Sequence, residues 1–490
     1  MPTPLDQPVP LDQPVPHVPV LTRRRFLVLS AAATLAACGD DRPSPSSSAA
    51  RSPDESAGPT PSPSPSATPS ATVPARTDAP ATPSPAPPIV GRRTLYRDGA
   101  LADGRSDRLR LGVSILVDGG VIRWIRPRDD EADPGPVDGL EVVDASGATF
   151  VPGMVDGHAH VTLPGGAHWI DRIADPPAAL LEVAERNGRL QTAAGIRWAR
   201  DVGAPYVDDP VDGRRRALSL GLRDRWRGRT EFPHLRAAGT WLDRTGTLPP
   251  AAHTVEARTA DELLANAVGQ LVDGADLLKL YLDGPDPDAS PWSVAEIRRV
   301  VDMAHGRGAR VTAHSGRLSG ARNGVRAGVD AIEHGFQLDA DLAADMAARG
   351  TFLVSTLAVM RSWQTFARTT SLPFFTGAAG RRTIAERQER AVDSVRVAHA
   401  AGVRVATGTD AGGGSLRANQ LAWEVEELVR AGFEPWEALG AATWRGGELL
   451  GEADAGVICE GGPADFFLVH GDPLSDPAAL WRVWRVAWAP

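Results

Sequence analysis

The sequence predicts an α/β fold built on a (β/α)8 TIM barrel, and three observations carry that prediction. Over residues 151–453 short apolar runs alternate with helical stretches, the pattern of βα units around a parallel sheet. Several of those runs end on a polar or ionisable residue, at the place where a parallel barrel opens its catalytic face. Shorter alternating segments of antiparallel character flank the barrel on both sides, at 90–150 and 454–490.

In chain order, the first segment is a tandem repeat, Leu-Asp-Gln-Pro-Val-Pro at 5–10 and again at 11–16. Its proline density prevents helix and leaves nothing to bury. Next, Thr22-Arg23-Arg24-Arg25-Phe26-Leu27 leads an apolar stretch that closes on Leu35-Ala36-Ala37-Cys38. Positive charge, a short apolar run and then small residues describe a secretory signal; a spanning helix needs about 20 apolar residues. The arginine pair resembles a twin-arginine export signal, and the closing tetrapeptide resembles a bacterial lipobox. Residues 1–38 are therefore expected to export the protein, with Cys38 lipidated and the chain anchored on the outer side of the cell membrane. Lipidation leaves Cys459, the second of two cysteines, without an intramolecular partner, so disulfides do not hold this fold together. Residues 39–89 are Ser, Pro, Thr and Ala with scattered charge, a tether that cannot repay its ordering entropy.

The flanking strands come next. Leu111–Val117 and Val121–Ile125 sit either side of Asp118-Gly119-Gly120, a hairpin signal, and Glu141–Val143 follows. Gly456-Val457-Ile458 and Asp465–Val469 repeat that character near the C-terminus, where Trp481, Trp484 and Trp488 are expected to pack the terminal segment onto the body. A net charge of -9 speaks against a nucleic-acid partner. The one Arg-rich stretch, Arg214 to Arg229, is interleaved with Leu218, Leu220, Leu222 and Trp226 and reads as the solvated face of an amphipathic helix.

The barrel runs deliver the chemistry. They lead in turn to His158-Ala159-His160, Arg200-Asp201, Lys279, His314, Glu333-His334 and Asp410. Strand C-termini open onto one face, so these chain-distant residues converge. Imidazoles and a carboxylate are usual ligands of zinc and related divalent ions. His158 and His160, two apart on an extended segment, point to one side and can grip a single ion.

Lys279 stands out because the 52 basic residues include only this lysine. Leu277, Leu278 and Leu280 place it in an apolar strand, where an unpaired ammonium is costly. A buried lysine can lose its proton, as arginine cannot. The neutral amine can take up carbon dioxide to give a carbamate, an anionic ligand able to bridge two metals.

These residues resemble the amidohydrolase superfamily from Leu95 to the end of the sequence. The matching motifs are 152–160 (Pro-Gly-Met-Val-Asp-Gly-His-Ala-His), Arg200-Asp201-Val202-Gly203, Lys279, Ala313-His314, Ile332-Glu333-His334-Gly335 and Gly408-Thr409-Asp410-Ala411-Gly412. Within it the chain looks most like the imidazolonepropionase-related and Xaa-Pro dipeptidase (prolidase)-like group. The resemblance implies a small β-sandwich built from the 90–150 and 454–490 segments. It also implies two divalent metal ions, zinc first, with manganese, iron and cobalt as alternatives. His158 and His160 would hold the more buried ion and His314 and His334 the second. Lys279, as N6-carboxylysine, would bridge them, and Asp410 would ligate the first ion. Asp410 and His334 are the candidate catalytic residues. A hydroxide bridging the metals would attack a carbonyl, and Asp410 would pass its proton to the leaving amine.

The expected substrate is a small molecule with an amide bond, such as a dipeptide or N-acyl amino acid. The alternatives are ester, lactone or phosphotriester hydrolysis, mononuclear deamination, and a metal-free binding scaffold. Deamination is disfavoured because Ser315-Gly316-Arg317 follows His314 where imidazolonepropionases and cytosine-type deaminases carry a glutamate. The loop Tyr281-Leu282-Asp283-Gly284-Pro285 lacks the Gly-Gly of many prolidase-like members. A homo-oligomer remains open.

Overall fold

The computed structural model describes residues 93–131, 139–166, 169–248, 253–365, 373–412 and 414–489. The expected export signal, Cys38 and the tether lie outside them. Among the described residues no helix is long and apolar enough to cross a membrane.

The flanking segments form one seven-stranded sheet. It joins Arg93–Leu101, Arg110–Asp118, Val121–Pro127, Leu140–Asp144 and Ala148–Pro152 to Phe466–His470 and Val483–Ala487. The predicted hairpin is present, with Ile115 opposite Ile125, and its turn glycines Gly119 and Gly120 have φ of 62° and 80°. Two consecutive positive φ values suit the right-handed strand twist, which explains the Gly-Gly. Alternation puts Val113, Ile115 and Val117 on a buried face, where Tyr96, Phe150 and Phe466 meet edge to face at 5.1–6.3 Å. Phe150 pairs with Leu468, so strands far apart in sequence complete one sheet.

Three local expectations change here. Gly456-Val457-Ile458 is not a strand. Gly456 has φ of 71°, and a Cβ there would lie 2.2 Å from the Thr443 backbone, so this segment is a close turn against the preceding helix. The Arg-rich stretch is a short strand, Arg215–Ala217, followed by a helix, Leu218–Trp226. Its leucines are buried as expected, but Arg216 is buried too, paired with Asp209 and Asp212 at 3.6 and 2.6 Å. Of the three C-terminal tryptophans, only Trp488 packs on the core; Trp481 and Trp484 stay exposed, at 42% and 43%.

Apart from a short antiparallel pair, Tyr206–Asp208 with Arg215–Ala217, the remaining strands are parallel and fall into two sheets. One contains Met154–Ala159, Ile196–Asp201 and His234–Ala237. The other runs Thr254–Ala257, Trp241–Arg244, Leu277–Tyr281, Arg310–Ser315, Ala331–His334, Phe352–Ser355 and Val405–Thr407. Hydrogen bonds pass between them at both margins: Asp276 N donates to Ala237 O (2.9 Å) and Asp410 N to His158 O (2.7 Å). Helices alternate with the strands and start and stop on local signals. Ser293 and Glu296 form a capping box at Val294–His305, and Gly328, at φ 97°, ends Leu318–Ala327. The core is a continuous apolar layer between strands and helices, including Leu278, Leu280, Val311, Ala313 and Ile332.

Candidate metal centre

Parallel register brings the predicted residues together. Lys279 lies opposite Thr312, His314 opposite Glu333, and Ser315 opposite His334. Lys279, Thr312, His314 and Glu333 thus share one face of the sheet, while Leu278, Leu280, Val311, Ala313 and Ile332 between them belong to the apolar core. Glycines let the strands approach: a Cβ on Gly408 would sit 2.4 Å from that of His158, and one on Gly412 would sit 2.3 Å from His160 O.

The four histidine rings form a continuous array. Centroids are 5.3 Å apart for His160 and His158, 4.6 Å for His158 and His334, and 4.7 Å for His334 and His314. Asp410 Oδ1 lies 3.4 Å from His158 Nε2 and 3.5 Å from His160 Nε2. One ligand atom from each of these three residues falls within 4.8 Å of the others, close enough for one cation.

Each imidazole also has one nitrogen engaged by protein. His158 Nδ1 meets Glu333 Oε2 at 2.7 Å, His160 Nδ1 meets Gly203 O at 2.8 Å, and His334 Nδ1 meets Thr356 Oγ1 at 2.9 Å. His314 is reversed: its Nε2 lies 3.3 Å from Asp283 Oδ2, in range of charge attraction but not aligned as a hydrogen bond. An outer partner on one nitrogen fixes the tautomer and presents the other nitrogen as a lone pair. That donor set fits a divalent ion.

Electrostatics agree with the fit. Burial, with Lys279 beside it, holds the His160 imidazole down at about 3; His158 and His334 lie well below the ordinary range, and His314 is lowered as well, with burial the main cause each time. All four are neutral at pH 7, as ligation requires. Lys279 is 2% exposed, and burial pushes its ammonium down to about 8 against the pull of Glu333. Among the described residues its ammonium has no hydrogen-bond or ion-pair partner. It sits inside its strand, which continues to Tyr281. Asp410 is pushed up to about 7 by burial, with Lys279 opposing and Asp156 and Glu333 reinforcing the shift.

Two backbone positions are unusual. His334 and Asp410 have φ of 71° and 51°, two of three non-glycine residues in the left-handed region among the described residues. Such conformations persist where surrounding contacts impose them, and they cluster at functional sites.

Sequence reading quoted Glu333 and Arg200 in motifs but gave neither a role. Both are buried at the centre: Arg200 Nη2 donates to Glu333 Oε1 (2.5 Å), and Arg200 Nε donates to Gly157 O (2.6 Å). Thr312 Oγ1 also donates to Glu333 Oε1. Asp156 and Asp201 brace the ligand-bearing segments. Asp156 accepts from Thr409 N and Oγ1, and Asp201 from Val161 N and Gly203 N. Nothing in the sequence pattern marks Trp241, whose ring stands 5.4 Å from His160, and Tyr281, expected in a loop, instead ends the strand Leu277–Tyr281 and stacks on His314 at 4.1 Å.

Comparison with known proteins points the same way. An uncharacterized protein of Mycobacterium tuberculosis is 32% identical over 391 residues, covering 77% of this chain and 94% of that protein. Imidazolonepropionase of Salinispora arenicola is 26% identical over 400 residues, covering 77% and 89%. The crystal structure of a Xaa-Pro dipeptidase with bound methionine in the active site superposes with a TM-score of 0.70 at 25% identity, over 81% of this chain and 98% of that one. These likenesses carry a TIM-barrel-like α/β fold and a hydrolase activity, and family members generally use divalent metals. The amidohydrolase family profile matches residues 149–486, and the chain belongs to that family.

Proposed function

We propose that the protein is a binuclear metal-dependent hydrolase that cleaves the amide bond of a dipeptide or N-acyl amino acid. The observation that carries this reading is the array of four neutral histidines together with buried Lys279 and a half-buried Asp410. His158, His160 and Asp410 would hold one ion, His314 and His334 the second, and carboxylated Lys279 would join them. When bound, such ions lower the pKa of water toward 7 and polarise a carbonyl. The chain supplies the proton traffic. Asp410 would take a proton during attack and return it to the leaving amine. His334, next to His158 and His314 in the array, would orient the carbonyl. Burial of the centre excludes bulk water and strengthens both effects.

The two parallel sheets are read as one closed (β/α)8 barrel over 151–453, supported by the hydrogen bonds at both margins. The flanking 90–150 and 454–490 segments would form the small sandwich domain. Residues 1–38 would direct export and lipidation at Cys38; loss of membrane retention in Cys38→Ala would support this, and retention would exclude it.

The deciding experiment is hydrolysis of a library of dipeptides and N-acyl amino acids by protein reconstituted with zinc, manganese or cobalt. Turnover that disappears with a chelator and returns with metal is expected. Silence across the library with turnover of lactones or esters would overturn the amide reading.

A further inference from the structure

Glu333 and His334 are consecutive on a strand, so their side chains should point to opposite faces. Both instead reach His158: Glu333 Oε2 lies 2.7 Å from its Nδ1, and the His334 ring lies 4.6 Å from its ring. The left-handed turn at His334, φ 71°, explains how one strand serves the centre with two adjacent residues. Gly335 continues the turn at φ 56°, where a Cβ would stand 2.6 Å from Leu353 Cδ1. A local backbone distortion thus delivers a carboxylate as well as an imidazole.

That carboxylate belongs to a closed circuit. Gly157 O, one residue before His158, accepts from Arg200 Nε; Arg200 Nη2 donates to Glu333 Oε1; Glu333 Oε2 returns to the His158 ring. Three strands are tied together, and His158 is held through its own chain and its ring at once. Thr312 supplies a second donor to Glu333 Oε1. Arg200 and Thr312 aim Glu333: both donate to Oε1, which leaves Oε2 turned to the His158 ring. His160, by contrast, leans on the neutral carbonyl of Gly203. An imidazole that donates to a carboxylate is a more basic ligand through its other nitrogen than one that donates to a carbonyl.

We propose that Glu333, clamped by Arg200 and Thr312, is the positioning residue that makes His158 the stronger histidine ligand of its pair. This rests on the reading that His158 holds a metal ion. In Glu333→Gln the amide can still accept from His158, but its NH2 group then opposes the donor-only Arg200, so the circuit opens.

The test is zinc affinity of metal-stripped full-length protein, measured by competition with a chromogenic chelator, alongside thermal unfolding without metal. Glu333→Gln should weaken zinc binding by roughly 10- to 100-fold. Because it also leaves Arg200 buried without a counter-charge, it should unfold at lower temperature. Arg200→Met combined with Glu333→Gln removes both charges. This double variant should recover most of the metal-free stability while its zinc affinity stays low, which a purely structural role would not produce. Thr312→Val should weaken zinc by a few-fold at most. Wild-type affinity in the single or double variant would overturn the proposal. If wild-type protein itself binds no zinc, the metal reading falls first and Glu333 loses its role with it.

Discussion

Phe150 in the terminal sheet and Glu333 among the parallel strands are equally inaccessible to solvent, yet they are buried for opposite reasons. Around Phe150 the neighbours are Tyr96, Phe466, Ile115 and Leu468, and burial itself is the stabilising term. Around Glu333 the neighbours are Arg200, Thr312 and His158, with Lys279 and Asp410 nearby. There each side chain costs desolvation that only specific partners offset. The terminal sheet is optimised to exist, whereas the centre keeps arrangements that folding alone would not select. The left-handed His334 and Asp410 fall on the same side of that divide.

The largest effect expected on this contrast is at Lys279. Lys279→Arg keeps the charge but cannot give a neutral amine, so turnover should fall by roughly 100-fold or more, beyond the usual loss from an outer partner, with one of two metals lost. Near-normal turnover with two metals bound, by elemental analysis and kinetics, would erase the distinction drawn for this residue. In the terminal sheet the expectation reverses. Phe466→Ala should destabilise by about 3–5 kcal/mol in chemical denaturation while folded protein keeps its turnover number. A loss of turnover in proportion would mean that the sheet shapes the site.

A subtler expectation concerns Glu424, which belongs to the parallel region without touching the histidines. Its buried carboxylate accepts from Ser355 Oγ, Leu357 N and Ala358 N, bracketing the Thr356 that holds His334. Burial pushes it up from 4.5 to about 7. A raised carboxyl stabilises the folded state fully below the unfolded pKa and loses that contribution as pH rises through the folded pKa. Relative to Glu424→Gln, the wild type should therefore lose up to about 3 kcal/mol between pH 4.5 and 7. Parallel denaturation curves at both pH values would refute it. Smallest of all, Trp484→Ala at the exposed edge should shift stability by no more than about 0.5 kcal/mol, which a melting curve checks.

Much of the centre was legible because parallel strands impose a rule: an apolar run followed by an ionisable residue marks the open end. His158, His160, His314, His334 and Asp410 follow it and come together, whereas Lys279 lies inside a strand that runs on to Tyr281. The role of Glu333 was not legible, because strand alternation separates Glu333 and His334 onto opposite faces, and only the left-handed turn at His334 brings both to the centre. Trp241 was hidden for another reason: Trp241–Arg244 and Thr254–Ala257 are four-residue strands too short to show a period. The run at 456–458 misled because Val-Ile is strand-like, whereas the tight approach of Gly456 to Thr443 depends on tertiary packing.

Thr149 donates to Gly471 O across 322 positions, and Phe150 is paired by Leu468. A ribosome that has just made Ala148–Pro152 must therefore synthesise the entire catalytic region before that strand can acquire its second neighbour. Until then the strand presents an unpaired edge beside exposed aromatic rings, the kind of surface that aggregates or is recognised by quality control. A prematurely ended chain would therefore carry an open sheet edge where the complete one has none at this strand.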